Sequence, residues 1–257
     1  MLGGIGIGSL GVGHAASTQA AGAVSGVLPT DIDDLVMWFT FEEGLTLDGS
    51  SVNCWAAKVG SFYGVPTSVV DGSPGADRPT FNTTRVTFDG GDDIDFWDAC
   101  SSGSRNELTL DTSDGGWTVI GILTDDNWTG AQQALVGLYS GSTDFIRYDT
   151  DSGDMRIEMK INNNTKIIDL DSNLTNDQYY CIMITHETGG TITAYIDNVA
   201  QADTESLANS NDLAISAIGQ RSTADRLGGN IKHVLAYDKA LTSSERSQFQ
   251  TWAATQL

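Results

Sequence analysis

An all-β fold follows from three features of the sequence: acid content dominated by aspartate, abundant glycine, and short apolar runs of period two separated by turn signals. Of the 34 acidic residues, 27 are Asp and seven are Glu. Aspartate hydrogen-bonds its neighbouring backbone in turns and disfavours helix interiors, so the skew selects turns over helices. The 29 glycines act in the same sense. A length of 257 residues suits one large β domain.

Taken in order, residues 1–30 form a Gly-rich N-terminal arm. The stretch 1–28 carries no charge apart from His14, and the first Lys or Arg is Lys58. A secretory signal needs a basic start and an unbroken apolar stretch, and this arm has neither. Its composition cannot bury a core, so the arm is expected to lie against a neighbouring subunit or partner, with Ile5, Ile7, Leu10 and Val12 filling shallow apolar pockets. From residue 31 to 257 a single β domain is expected.

That domain opens with a Trp- and Phe-bearing strand, Leu35 to Gly44, followed by a turn-rich connector ending near Pro79. A short strand, Arg85 to Phe88, breaks at Asp89-Gly90-Gly91. The segment Gly116 to Asp126 sets Trp117, Val119 and Gly121 against Thr118, Ile120 and Ile122, the two-residue period of a strand. Short strands continue around the tip Asp149 to Asp154. The clearest hairpin pairs Gln178–Thr185 with the run from Thr191 through a Gly189-Gly190 turn. Tyr180, Ile182 and Ile184 share one face of its first strand, and Ile192, Ala194 and Ile196 one face of its second. Asp197-Asn198 then suits a tight turn. A strand near Leu213 to Gly219 and another over Asn230 to Lys239 precede one helix. Thr242 and Glu245 have capping-box spacing there, and Phe249, Trp252, Ala253 and Leu257 make an apolar stripe.

Composition excludes some functions. With 13 basic residues against 34 acidic ones the net charge is −21, which repels phosphate backbones and anionic lipid, so neither nucleic acid nor membrane is an expected partner. Apolar runs fall short of the ~18 residues a membrane helix needs. Cys54, Cys100 and Cys181 are odd in number and widely spaced, indicating neither a disulfide framework nor a zinc site. Four Asn-x-Ser/Thr matches, at Asn82, Asn127, Asn163 and Asn173, arise readily by chance in an Asn- and Thr-rich β sequence and carry no argument for secretion.

The ordered segments Val86 to Ile94 (VTFDGGDDI), the Trp117-Thr118-Val119 strand, Tyr179 to Thr185, Ala194 to Val199 and Gly229 to Arg246 resemble the laminin-G-like, concanavalin A-like lectin/glucanase superfamily. The last segment is the most specific: an alternating strand ending Tyr-Asp, then Ala-Leu and a capped helix with Glu. The resemblance covers residues 31 to 257 and implies a two-sheet antiparallel jelly-roll sandwich with a short C-terminal α-helix. The opening, Asp31 to Ser61, is similar to such domains in structural proteins of tailed phages, which often carry a short Gly-rich arm.

No catalytic constellation stands out. Glucanases of this superfamily place two carboxylates by E-x-D-x-E or E-x-D-x-x-E, and neither pattern occurs. Glu158 is expected as a solvated outer-face residue. His14, His186 and His233 are expected on the arm, at a hairpin tip and on a strand, without a nucleophile elbow or a zinc motif. No cofactor is expected. Asp89, Asp92, Asp93 and Asp95, and separately Asp149, Asp151 and Asp154, could offer hard ligands to calcium, but turn chemistry accounts for both runs. Trp128, flanked by Asp126 and Asn127 in an expected loop, is the candidate glycan-contact aromatic, while Trp38, Trp55, Trp117 and Trp252 are expected in the core.

The functional expectation is a non-enzymatic virion protein of a tailed phage, an outward-facing capsid decoration or head-fibre subunit anchored by its arm on the major capsid protein or its own copies. The alternatives are a carbohydrate-binding tail-fibre adhesin and a degenerate glycoside hydrolase. The acidic charge favours the particle exterior, away from packaged DNA.

Overall fold

The computed structural model describes residues 27–72, 77–100, 103–112, 115–130, 132–208, 211–221 and 225–257. The arm residues Ile5, Ile7, Leu10 and Val12, and His14, lie outside them. A 3-10 turn at Pro29–Asp31 leads into β1 (Leu35–Thr40), β2 (Leu45–Asp48), β3 (Ser51–Ala56) and β4 (Tyr63–Val65). A one-turn helix α1 (Thr67–Val70) separates these from β5 (Thr80–Asn82), β6 (Arg85–Asp89) and β7 (Ile94–Trp97). Next come β8 (Leu108–Leu110), β9 (Gly116–Asp125), β10 (Gln133–Gly137), β11 (Phe145–Asp151), β12 (Asp154–Ile161) and β13 (Asn164–Asp169). The last third holds β14 (Tyr180–Glu187), β15 (Thr191–Ile196), β16 (Val199–Ser206), β17 (Leu213–Ile215), β18 (Ala217–Ile218), β19 (Gly228–Tyr237) and α2 (Ser243–Ala253).

The strands form an antiparallel jelly-roll sandwich. In the back sheet the order is β16-β15-β14-β9-β19, and β19 then pairs with β1 along His233–Tyr237 and with β6 along Gly228–Ile231. A register shift between Ile231 and His233 marks where β19 changes partner. In the front sheet the order is β13-β12-β11-β10-β18-β7-β4-β3-β2. Strand β5 joins the sheets by pairing with both β3 and β6. At the opposite margin β13 and β16 face each other without a backbone ladder, and side chains lace them together. Asp203 Oδ2 accepts from the Asp169 amide (2.9 Å), Gln201 Oε1 from the Asp171 amide (2.9 Å), and the Asp171 carboxylate from the Ala202 amide (3.1 Å).

Local chemistry explains the hairpins. Residues at positive φ form two-residue tips at Ser152-Gly153 (56° and 99°), Asn162-Asn163 (45° and 67°) and Asp197-Asn198 (50° and 67°). Two central residues at positive φ match the right-handed twist of the flanking strands. Burial then fixes register: Ile182, Ile184, Ile192 and Ala194 enter the main core with Trp117, Phe39, Trp55 and Trp128.

Strand β9 is buried along its whole length. Its period-two alternation reflects two apolar environments, with Trp117 and Val119 in the sandwich core and Ile120 and Ile122 in a second cluster under α2. That cluster joins Trp38, Cys181, Met183, Leu235, Tyr237, Phe249, Trp252 and Ala253. The capping box holds the helix start, since Thr242 Oγ1 accepts from the Glu245 amide and Glu245 Oε2 from the Thr242 amide. Leu257 is 43% exposed, so the stripe ends at Ala253, where the helix itself ends.

Two further expectations are corrected. Cys54 and Cys100 form a disulfide that pins the loop after β7 to β3. The odd count concealed it because Cys181, the third, is buried beneath α2 and free. His186 lies within β14 and is fully buried, stacked on Trp117 at 5.6 Å, because β14 runs two residues further than its apolar pattern.

Candidate functional site

The front-sheet outer face and its margin gather the polar groups that chemistry would use. On β7, Asp95 and Trp97 point outward while Ile94 and Phe96 enter the core. A satellite cluster of Cys54, Val65 and Trp97 forms there beneath Val69 and Val70 of α1.

Asp92, Asp93 and Asp95 are 2%, 3% and 0% exposed. Thr67 bridges two of them, its amide donating to Asp93 Oδ1 (2.8 Å) and its hydroxyl to Asp95 Oδ2 (3.0 Å). Gln220 Nε2 donates to Asp95 Oδ1 (2.6 Å), and Arg105 approaches Oδ2 at 3.5 Å. Arg226 donates to Asp93 Oδ2 (3.1 Å) and to the Gly91 carbonyl, and lies 3.9 Å from Asp77. Asp92 Oδ2 accepts from the Asp89 amide, whereas its Oδ1 is buried with no hydrogen-bond partner. Burial pushes Asp92 up to about 7; it raises Asp95 likewise to about 7, with the Asp93 charge adding to it.

The second acidic run is built differently. Asp149 accepts from Arg156 Nη2 at 2.6 Å and Nε at 3.1 Å, and Arg156 also reaches the exposed Asp151 at 3.4 Å. Burial opposes the Asp149 charge, but Arg156 outweighs it and holds the carboxyl below its ordinary value. Asp154 is exposed. In each run a guanidinium, Arg226 or Arg156, lies against a carboxylate, and no group of three or more metal-ligating side chains forms among the described residues.

Glu158 is no solvated residue. Its Oε2 lies 2.7 Å from Arg147 Nη2, Arg147 Nη1 lies 2.6 Å from Asp225, and Arg221 Nε lies 2.9 Å from the same Asp225. Burial works against the Arg147 charge, but hydrogen bonds to Glu158 and Asp225 prevail and raise it above the ordinary guanidinium value. Sequence reasoning missed this network because its members come from β11, β12 and the loop before β19, with no local signature.

Trp128 is 2% exposed and offers no platform. It packs edge-on against Tyr148 (5.0 Å) and Tyr180 (6.1 Å), and its indole donates to the Thr175 carbonyl. Its neighbours Asp126 and Asn127 are exposed. The polar flanks that marked the tryptophan as a loop residue are real, but the ring turns inward over the core. His233 is buried between Trp38 and Trp252, and burial depresses it to about 4.

Two shallow troughs flank the Asp169–Leu174 segment at the laced margin. One, of about 280 Å³, is lined by Asp171, Ser172, Leu174, Ile196, Asp197, Val199 and Gln201. The other, of about 290 Å³, is lined by Asp151, Ser152, Asp154, Asp169 and Leu170.

Residues 106–245, more than half of the chain, match the laminin G-type family described as the concanavalin A-like lectin/glucanases superfamily. The chain belongs to that superfamily. No curated protein sequence matches it significantly. Among solved structures, domain 4 of AbnA, a GH43 extracellular arabinanase from Geobacillus stearothermophilus in complex with arabinotriose, superimposes with a TM-score of 0.59 at 14% identity, covering 84% of this chain and 98% of that one. Trypanosoma rangeli sialidase matches with a TM-score of 0.57 at 14% identity over 90% of this chain, which spans only 35% of the sialidase chain. At these identities the likeness is one of fold.

Proposed function

We propose that this superfamily member is a non-enzymatic structural protein of a tailed-phage virion, an outward-facing capsid decoration or head-fibre subunit held by its N-terminal arm. The observation that carries the non-enzymatic part is the state of the carboxylates in and beside the strands. Asp93, Asp95, Asp149 and Glu158 are each engaged by a guanidinium, and Asp92 and Asp125, which are not, are buried from solvent. Glycosidic chemistry needs one carboxyl free to donate and a second free to attack or activate water. The phage part rests on the opening segment and the arm. The disulfide supports display outside a reducing compartment, and the charge of −21 suits an exterior surface. Imaging of the native particle with the chain labelled tests the assignment: many copies on the shell are expected, and absence from the particle would sink it.

A second reading, a carbohydrate-binding tail-fibre adhesin, is favoured by the arabinotriose complex of the similarly folded arabinanase domain. Few copies confined to the tail, with saturable binding of arabinotriose, would support it. Turnover on a panel of β-glucans would instead revive the hydrolase.

A further inference from the structure

Nine of the 13 Lys and Arg side chains make at least one ion pair, which leaves Arg85, Lys160, Lys232 and Arg246. Two of these four are neighbours. The β6–β19 ladder ends at the pair Val86–Ile231, so Arg85 and Lys232 each lie one residue beyond it, Lys232 at the register shift of β19, and the Arg85 charge acts on the Lys232 ammonium. Like charges brought close together repel unless a counter-charge lies between them. In a chain with 34 acids, no carboxylate among the described residues pairs with either cation.

Aromatic and polar groups surround the two cations. Lys232 Nζ lies 4.1 Å over the Tyr179 ring and donates to the Gln256 carbonyl. Burial and the Arg85 charge both press the ammonium below its ordinary value, the signature of a cation lacking a counter-charge. Arg85 Nε is shut off from solvent without a hydrogen-bond partner. Along the same ladder Thr87 Oγ1 meets Asn230 Oδ1 at 2.7 Å, a half-buried polar pair beside the cations.

We propose that Arg85, Lys232 and Tyr179 form a binding site for the carboxylate of an acidic saccharide of the uronic-acid class. The guanidinium fork matches a carboxylate, and Lys232 supplies the second charge. The field of a chain with net charge −21 opposes any anion, so binding must come from the two cations themselves. Thr87 and Asn230 offer the adjoining sugar hydroxyls hydrogen-bond partners. The site would operate wherever the protein resides, so its failure leaves the virion reading untouched.

The experiment titrates the full chain with trigalacturonate by calorimetry at low ionic strength, with neutral galactotriose and a tri-glutamate peptide alongside. Saturable binding of trigalacturonate alone is expected, weakened at least tenfold in Arg85→Gln and in Lys232→Gln and unchanged in Lys160→Gln. Each of the first two variants removes one of two neighbouring like charges, so neither should melt below the parent. Should Arg85→Gln fail to fold, Arg85→Lys keeps the charge, loses the fork and should still weaken binding. Absence of saturable trigalacturonate binding, equal binding of galactotriose, preference for the peptide, or binding indifferent to Arg85 and Lys232 would each overturn the proposal.

Discussion

The two aspartate runs look alike in sequence and behave oppositely in the fold. Around Asp89–Asp95, three carboxylates are buried and burial raises all three, Asp92 without a cation and Asp95 beside Arg105 both to about 7. Around Asp149–Asp154, one buried carboxylate meets Arg156 through two nitrogens, and its pKa falls. Carboxylate density is therefore not what sets the chemistry of such a loop. The balance of burial against guanidinium contact is, because desolvation prevails at Asp93 and Asp95 despite Arg226 and Arg105, whereas Arg156 prevails at Asp149 through two nitrogens.

Four measurements press on this contrast. Arg226→Ala should be the most damaging, because it strands the buried Asp93; a loss of about 3 kcal/mol is expected from chemical denaturation. A loss no larger than that of Arg156→Ala would erase the distinction between the runs. Asp92→Asn comes next and should stabilise, by on the order of 1 kcal/mol at pH 8, since it removes a buried charge while keeping an acceptor for the Asp89 amide. The benefit should vanish with acidification. Because the folded pKa of Asp92 lies above its unfolded value, its favourable contribution is fully present below about 3.8 and lost as pH rises through about 7. An equal effect at pH 4 and pH 8 would show that Asp92 does not titrate in that window. Arg156→Ala should cost about 1 kcal/mol, as Asp149 keeps the Thr150 amide when the guanidinium is lost. Smallest of all, excess EDTA should leave the melting temperature unaltered, because a guanidinium already lies against a carboxylate in each run. A drop of several degrees restored by calcium would refute that.

Much of the sandwich was legible because its signals are local. The Tyr180/Ile182/Ile184 face, the Asp197-Asn198 turn and the Thr242–Glu245 cap each depend on residues within one hairpin or one helical turn, and the structure places them as the pattern requires. What escaped depends on contacts distant in sequence. Cys54 and Cys100 lie 46 residues apart, and Arg147 finds Asp225 78 positions away. Trp128 misled for a related reason: its neighbours are solvated, yet the ring is claimed by Tyr148 and Tyr180 from other strands. Burial of a single side chain is decided by the third dimension, which period and propensity do not encode.

The laced margin between β13 and β16 has a consequence for motion and solubility. Each amide there is held by one side chain of the facing edge, so it can open without unzipping a ladder. Deuterium should therefore enter at Asp169, Asp171 and Ala202 well before the amides of β9, which lies between two strands and is covered on both faces. The same carboxylates also occupy the donors that a foreign strand would need, and their charge repels its approach. The sandwich thus ends in two edges that can breathe without recruiting a neighbour, a safeguard against edge-to-edge aggregation.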